Sequence, residues 1–242
     1  MHWRFSFTAI CFAFLLAVGI EVPNASAQDI FVTPIPNAPF SGVVKVERSR
    51  VMGDGSVVNF RNIREIGRDS RGRIHNESRA AVPASSSETP QLLRVHLYDP
   101  QTRTSTYLDP QKKTFWTEMT NHPPSTEPPT LRFASPPGGG PQNEFAKEED
   151  LGIREMEGVS AHGVRQTQTI PAESSGTGAD IVITDEYWYS ADLRINLMIK
   201  HSDPRTGSVT MTVTQIARTE PDPAMFEIPE GYKLPGARRG TE

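Results

Sequence analysis

The stretch Leu92-Leu93-Arg94-Val95-His96-Leu97-Tyr98-Asp99-Pro100-Gln101-Thr102-Arg103-Thr104-Ser105-Thr106-Tyr107-Leu108-Asp109-Pro110-Gln111-Lys112-Lys113-Thr114-Phe115-Trp116-Thr117-Glu118-Met119 decides the fold. Leu93, Val95 and Leu97 alternate with Arg94 and His96, the period of a half-buried strand. Asp99-Pro100 and Asp109-Pro110 then break the chain twice. Proline presets φ for a turn and cannot donate to a ladder, so each Asp-Pro ends one strand and opens a turn. The segments between, Thr104 to Leu108 and Thr114 to Met119, are short and rich in β-formers. Short strands at this regular spacing predict an antiparallel meander.

The same grammar extends both ways. Val44 and Val46 alternate with Lys45 and Glu47, and Met52-Gly53-Asp54-Gly55-Ser56 reads as a hairpin turn. Val57 to Asp69 is the expected return strand. Its apolar residues Val57, Phe60, Ile63 and Ile66 recur every three residues, a helical spacing, but the turns at both ends and the β-branched content favour a long, bulged strand. Further on, Ile181, Ile183, Tyr187 and Tyr189 share a face with Asp185. Ile195, Leu197 and Ile199 follow, and Val209, Met211 and Val213 alternate with Thr210, Thr212 and Thr214. The prediction is a mainly β fold, or strand-dominated α+β, with about ten strands.

Residues 1–27 have the order of a cleavable secretory signal: a basic head at Arg4, an apolar run from Phe5 to Ile20, and Ala25-Ser26-Ala27, with cleavage expected between Ala27 and Gln28. The run is too short for a bilayer span, which takes roughly 20 apolar residues. No other run is long enough, so no transmembrane span is expected in the mature chain. Cys11, the single cysteine, would leave with the signal, so disulfides and thiolate chemistry are excluded from the product. Residues 28–40 read as an extended lead-in, 41–234 as one β-rich domain, 120–147 as a Pro/Gly-rich insertion within it, and 235–242 as a disordered tail. A net charge of −4 argues against a nucleic-acid partner.

Chemistry-bearing patterns are sparse. His75, His96, His122, His162 and His201 show no metal-ligand spacing, so a metal would need distant groups gathered in space. There is no G-x-S-x-G elbow and no glycine-rich phosphate loop between strand and helix; no catalytic residue, metal or cofactor is expected. Arg61, Arg64, Arg68, Arg71 and Arg73 form the densest charge feature and read as a solvated hairpin, with Glu65 and Asp69 diluting it. Asp185 and Glu186, beside Tyr187-Trp188-Tyr189, look like a carboxylate pair with an aromatic platform. Adjacent strand residues face opposite ways, however, so the two carboxylates cannot act together unless a bulge intervenes.

The segment Pro221-Asp222-Pro223-Ala224-Met225-Phe226-Glu227-Ile228-Pro229-Glu230-Gly231-Tyr232 resembles the closing segment of exported proteins related to the lipoprotein carriers LolA and LolB and the stress sensor RseB. The order before it is also similar: the Glu157-Gly158-Val159 turn, then long strands carrying Tyr187-Trp188-Tyr189 and Asp203-Pro204. The resemblance implies a curved antiparallel sheet, an open half-barrel with an apolar concave face. It implies an exported, non-enzymatic envelope protein, periplasmic or extracellular in a bacterium, binding a hydrophobic ligand such as a lipoprotein acyl chain, or a protein segment. Val44, Val46, Leu93, Val95, Leu97, Ile195, Leu197, Ile199, Val209, Met211 and Val213 are expected to line that face. The alternatives are a protein-interaction or sensor module of the envelope and a hydrolase of unfamiliar type. Two departures stand out: no lipid-attachment cysteine at the mature start, and few amphipathic helices to lid a cavity.

Overall fold

The computed structural model describes residues 29–120 and 144–235. The segment read as an export signal, with Ala27 and Gln28, most of the stretch read as a Pro/Gly-rich insertion, and residues 236–242 lie outside the described residues. Twelve strands follow in chain order: β1 (Phe40–Val51), β2 (Val57–Arg68), β3 (Ile74–Arg79), β4 (Val82–Pro83), β5 (Leu92–Asp99), β6 (Thr104–Asp109), β7 (Thr114–Met119), β8 (Ala146–Met156), β9 (Val159–Ile170), β10 (Ile181–Ser190), β11 (Ile195–Asp203) and β12 (Gly207–Ala217). Helical structure among the described residues amounts to one turn, α1 (Ala172–Ser175), and a 3-10 turn at Pro223–Phe226. The strands make one curved antiparallel sheet that does not close, in the order β7-β6-β5-β3-β2-β1-β12-β11-β10-β9-β8, with β4 paired to β2. The seam at its centre is β1 against β12, Val44 opposite Val213.

Aspartate side chains build the hairpins, which is why Asp-Pro marks them. Asp99 Oδ1 accepts from the backbone N–H of Gln101 at 2.8 Å, Asp109 Oδ1 from Gln111 at 3.1 Å, and Asp203 Oδ1 from Arg205 at 2.9 Å. Arg103 and Lys113 close the first two loops with φ of 55° and 50°. The β10–β11 hairpin uses the same left-handed closing residue, Arg194 at φ 52°, without a proline to announce it. Two expectations are corrected here. Strand β2 carries no bulge: it pairs with β1 without a register shift from Phe40↔Arg68 to Val51↔Val57. Its three-residue recurrence only places Phe60 and Ile66 on one face and Ile63 on the other. Strand β8 begins at Ala146, inside the stretch read as insertion, because cross-strand pairs to β9 such as Glu149–Arg165 hold it.

Each face of the sheet is partly covered by an extended segment. Residues 29–38 roof one face, where Ile30 and Val32 pack with Phe40, Val44, Ile66, Leu197 and Val213. The C-terminal segment covers the opposite face over β3 and β5–β7: Met225 sits against Gly67, Tyr232 packs on Val95, Leu97 and Leu108, and Lys233 bridges to Thr114. We call these the roofed face and the tail face.

Two members of the arginine cluster, Arg64 and Arg68, are not solvated, while Arg71 is exposed as expected. Arg68 is 0% exposed and Arg64 is buried. Arg68 donates from Nε to Ala38 O at 2.8 Å, from Nη1 to Thr33 O at 2.9 Å and from Nη2 to Leu193 O at 2.9 Å, and its guanidinium lies 5.1 Å from the Phe40 ring centroid. The roofing segment explains the burial, since it brings carbonyls to a charge that would otherwise lose its water.

The following turn is organised by Asp69, whose Oδ1 accepts from the N–H of Arg71 and of Arg73 and whose Oδ2 accepts from Arg73 Nε at 2.7 Å. Burial alone would raise this carboxyl, but the Arg73 hydrogen bonds outweigh it and hold the pKa below its usual value. A depressed folded pKa adds stability that is present above the unfolded value, about 3.9, and is lost as pH falls through the folded value. Asp69→Asn is therefore expected to lower stability at pH 7 by about 1–3 kcal/mol and to flatten the decline below pH 4. Denaturation midpoints measured from pH 2 to 7 check this; parallel wild-type and variant curves would contradict it.

Candidate functional site

The roofing segment does not reach across the whole face. Beside it, strands β1, β2, β3, β5, β6 and β12 leave a cavity of about 370 Å³ lined by Val46, Arg48, Asn62, Arg64, Asn76, Arg94, His96, Tyr107 and Met211, with Asp29 at its rim. It shares Val46, Arg48 and Asn62 with a second hollow of about 260 Å³ that adds Arg50, Phe60 and Ala81. Together they form a trough. Cross-strand register assembles it: Val46 lies opposite both Met211 and Asn62, Arg48 opposite Phe60, Asn76 opposite His96, and His96 opposite Tyr107.

Three features define its chemistry. The first is an aromatic ladder across β5, β6 and β7. His96 stacks on Tyr107 with ring centroids 4.7 Å apart, and Tyr107 stacks on Trp116 at 5.1 Å. Burial lowers the His96 pKa, so the ring is neutral at pH 7. The second is charge. Arg94 stands 5.5 Å from the Trp116 ring centroid, and among the described residues neither Arg94 nor Arg48 forms an ion pair with a carboxylate. Arg64 is already held, by Asp29 and by Asn76 Oδ1 at 2.6 Å; its pKa is lowered by burial, with Asp29 opposing. The third is an unmet acceptor, as Asn62 Oδ1 is buried without a hydrogen-bond partner among the described residues.

The residues expected on one apolar face divide. Val44, Val46, Ile199, Val209, Met211 and Val213 share the roofed face by register, and Ile195 and Leu197 join the same cluster beyond a bulge in β11. Of these, Val46 and Met211 line the trough, while Val44, Leu197 and Val213 are sealed beneath the N-terminal segment. Leu93, Val95 and Leu97 point to the tail face. Val95 and Leu97 pack under the C-terminal segment, and Leu93 is 45% exposed. The division follows from pairing: Val95 sits opposite Glu77, whose neighbour Asn76 shares the roofed face with Ile66. The residues that sequence reading missed are Arg48, Asn62, Arg94, Tyr107 and Trp116. The only signal for the ladder was aromatic spacing on successive short strands.

Two other polar groupings are histidine–carboxylate pairs. His162 Nε2 meets Asp150 Oδ1 at 2.7 Å, and His201 Nδ1 meets Asp185 Oδ1 at 2.8 Å. Glu186 faces away from Asp185, accepting from Trp188 Nε1 at 2.7 Å and from Arg165, so the two carboxylates are separated by the sheet. His96 contacts Ser105 Oγ at 3.1 Å, but among the described residues no carboxylate hydrogen-bonds its other nitrogen, and a nucleophile–base–acid arrangement is not assembled. His122 lies outside the described residues.

No protein-family model and no curated protein matches the chain. Solved structures do align with it. LprF from Mycobacterium bovis covers 77% of this chain and 90% of its own, with 11% identity and a TM-score of 0.32. A LolA superfamily protein from Nitrosomonas europaea covers 81% and 92%, with 9% identity and a TM-score of 0.31. A DUF1329 family protein from Desulfovibrio piger covers 78% and 90%, with 11% identity and a TM-score of 0.29. The family that the C-terminal segment resembles is thus among the matches. Among the described residues, no helix is long and apolar enough to cross a membrane.

Proposed function

We propose that the chain is an exported, non-enzymatic binding protein of the cell envelope whose open trough holds an anionic amphipathic ligand. The observation that carries this reading is the pairing of Arg48 and Arg94, free of carboxylate partners among the described residues, with the apolar surface of Val46, Phe60 and Met211 and the His96–Tyr107–Trp116 ladder. An apolar tail covering about 100 Å² of that surface contributes roughly 2.5 kcal/mol gross. Part of this is offset by lost ligand freedom. A carboxylate or phosphate-type head meets the guanidinium groups, which are suited to planar, bidentate recognition of oxyanions. The hydrophobic-ligand expectation is kept, moved from the sealed centre of the sheet to its open flank.

The test is binding of dodecanoate, below its micellar concentration, to the mature protein, followed by Trp116 fluorescence and calorimetry. Dodecanoate is expected to bind at one site, dodecyl maltoside at least tenfold more weakly, and Arg94→Ala to cost about 1–2 kcal/mol of dodecanoate affinity. Equal affinity for both amphiphiles, or an unaffected Arg94→Ala, would remove the anion from the proposal. Absence of binding to either would remove the trough itself.

A further inference from the structure

We propose that Glu65, His75 and Glu77 form a binding site for a divalent first-row metal ion, zinc being the best match. By register its side chains belong to the tail face, although Glu77 also borders the trough; the proposal does not depend on the reading given above. His75 and Glu77 are alternate residues of β3, so both project to one side. The register Gly67↔His75 and Ile66↔Asn76 sets Glu65 of β2 next to Glu77 on that side. One ligand atom from each of the three residues lies within 4.8 Å of the others.

The imidazole makes this more than a cluster of acids. His75 is 8% exposed, and its Nδ1 stands 2.7 Å from Met225 O. A carbonyl oxygen only accepts, so Nδ1 carries the hydrogen and Nε2 presents a bare lone pair. That Nε2 is buried and has no hydrogen-bond partner among the described residues. An unpartnered, buried imidazole nitrogen on a residue clustered with two carboxylates marks a position that a cation would fill. Tail anchoring through Met225 accounts for Nδ1 and leaves Nε2 unexplained; a metal accounts for both. An imidazole N–H donated to a backbone carbonyl is also the usual way a metal-ligating histidine is oriented.

The carboxylates fit the same role. Glu77, 7% exposed, is fixed by Arg79 Nε at 2.7 Å, Arg79 Nη2 at 3.1 Å and the Glu65 N–H at 3.0 Å. Oε2 takes two of those donors and Oε1 one, which leaves Oε1 a lone pair for a metal. Glu65 is exposed and forms no ion pair among the described residues. One imidazole nitrogen and two carboxylate oxygens, with a coordination position left over, suit zinc among the common divalent ions. Because the Met225 carbonyl holds the ligand histidine, an occupied site ties the C-terminal segment to β3.

The experiment uses the mature chain stripped with a chelator and titrated with zinc against a fluorescent zinc indicator. One equivalent is expected to bind, and Glu65→Gln, an exposed change verified as folded by near-UV circular dichroism, is expected to weaken it at least tenfold. Nitrogen NMR should show His75 Nε2 shifting on zinc addition in the wild type and not in Glu65→Gln. The proposal is overturned if the wild type fails to bind one equivalent, if Glu65→Gln binds equally well, or if binding is lost in His162→Ala or His201→Ala instead.

Discussion

Replacing Arg68 by alanine is expected to lower unfolding free energy by about 3–5 kcal/mol at pH 7. The guanidinium is wholly buried among carbonyls from three places: Ala38 and Thr33 of the roofing segment and Leu193 of the β10–β11 hairpin. Burial and the nearby Arg194 push its pKa down from the ordinary arginine value to about 10, so the charge is retained at neutral pH but held at a cost. The three carbonyls and the Phe40 ring offset that cost. Alanine removes their common donor and opens a void beneath the segment. Lysine restores the charge without the planar fork and is expected to recover less than half of the loss. Urea unfolding of wild type, Arg68→Ala and Arg68→Lys measures both; an alanine variant within 1 kcal/mol of wild type would mean the segment is held by Ile30 and Val32 alone.

The second large effect is at Gly207, the first residue of the last strand. Its φ is 115°, a conformation essentially closed to residues with a Cβ, and a Cβ placed there would stand 2.1 Å from the carbonyl oxygen of Ser49. The contact is with backbone on the neighbouring strand, so no side chain can turn aside to relieve it. Gly207→Ala is expected to cost about 3 kcal/mol and to loosen the seam where Arg50 pairs with Gly207. Thermal unfolding gives the magnitude, and hydrogen exchange at Val51 N–H, which donates to Thr206 O at 3.1 Å, gives the place. An unshifted melting temperature would contradict it.

Both effects show where sequence reading reaches and where it stops. The strands were legible because alternation such as Val209–Met211–Val213 records burial of one face, and the Asp-Pro turns because the aspartate makes its own backbone hydrogen bonds. Which alternation faces which side was not legible. Period two says that Leu93, Val95 and Leu97 share a face, yet only the register of β3 against β5 says that it is not the face of Val44. Arginine burial was hidden for a related reason. Arg64 and Arg68 look solvated until a segment thirty residues earlier in the chain is seen to lie over them. The trough was the least legible feature, since its ladder takes one aromatic ring from each of three strands and no single strand carries the pattern.

The central seam has a consequence for how the molecule comes into being. Strands β1 and β12 are the first and last made, yet they are neighbours at the middle of the sheet. Each arm of the sheet can assemble from local hairpins on its own, but the interior around Val44, Leu197 and Val213 cannot close until the final strand is available. Joining such distant stretches imposes a large loop-closure penalty before any reward, which slows acquisition of the native state. A chain wired in this way keeps its interior open until its first and last strands have met.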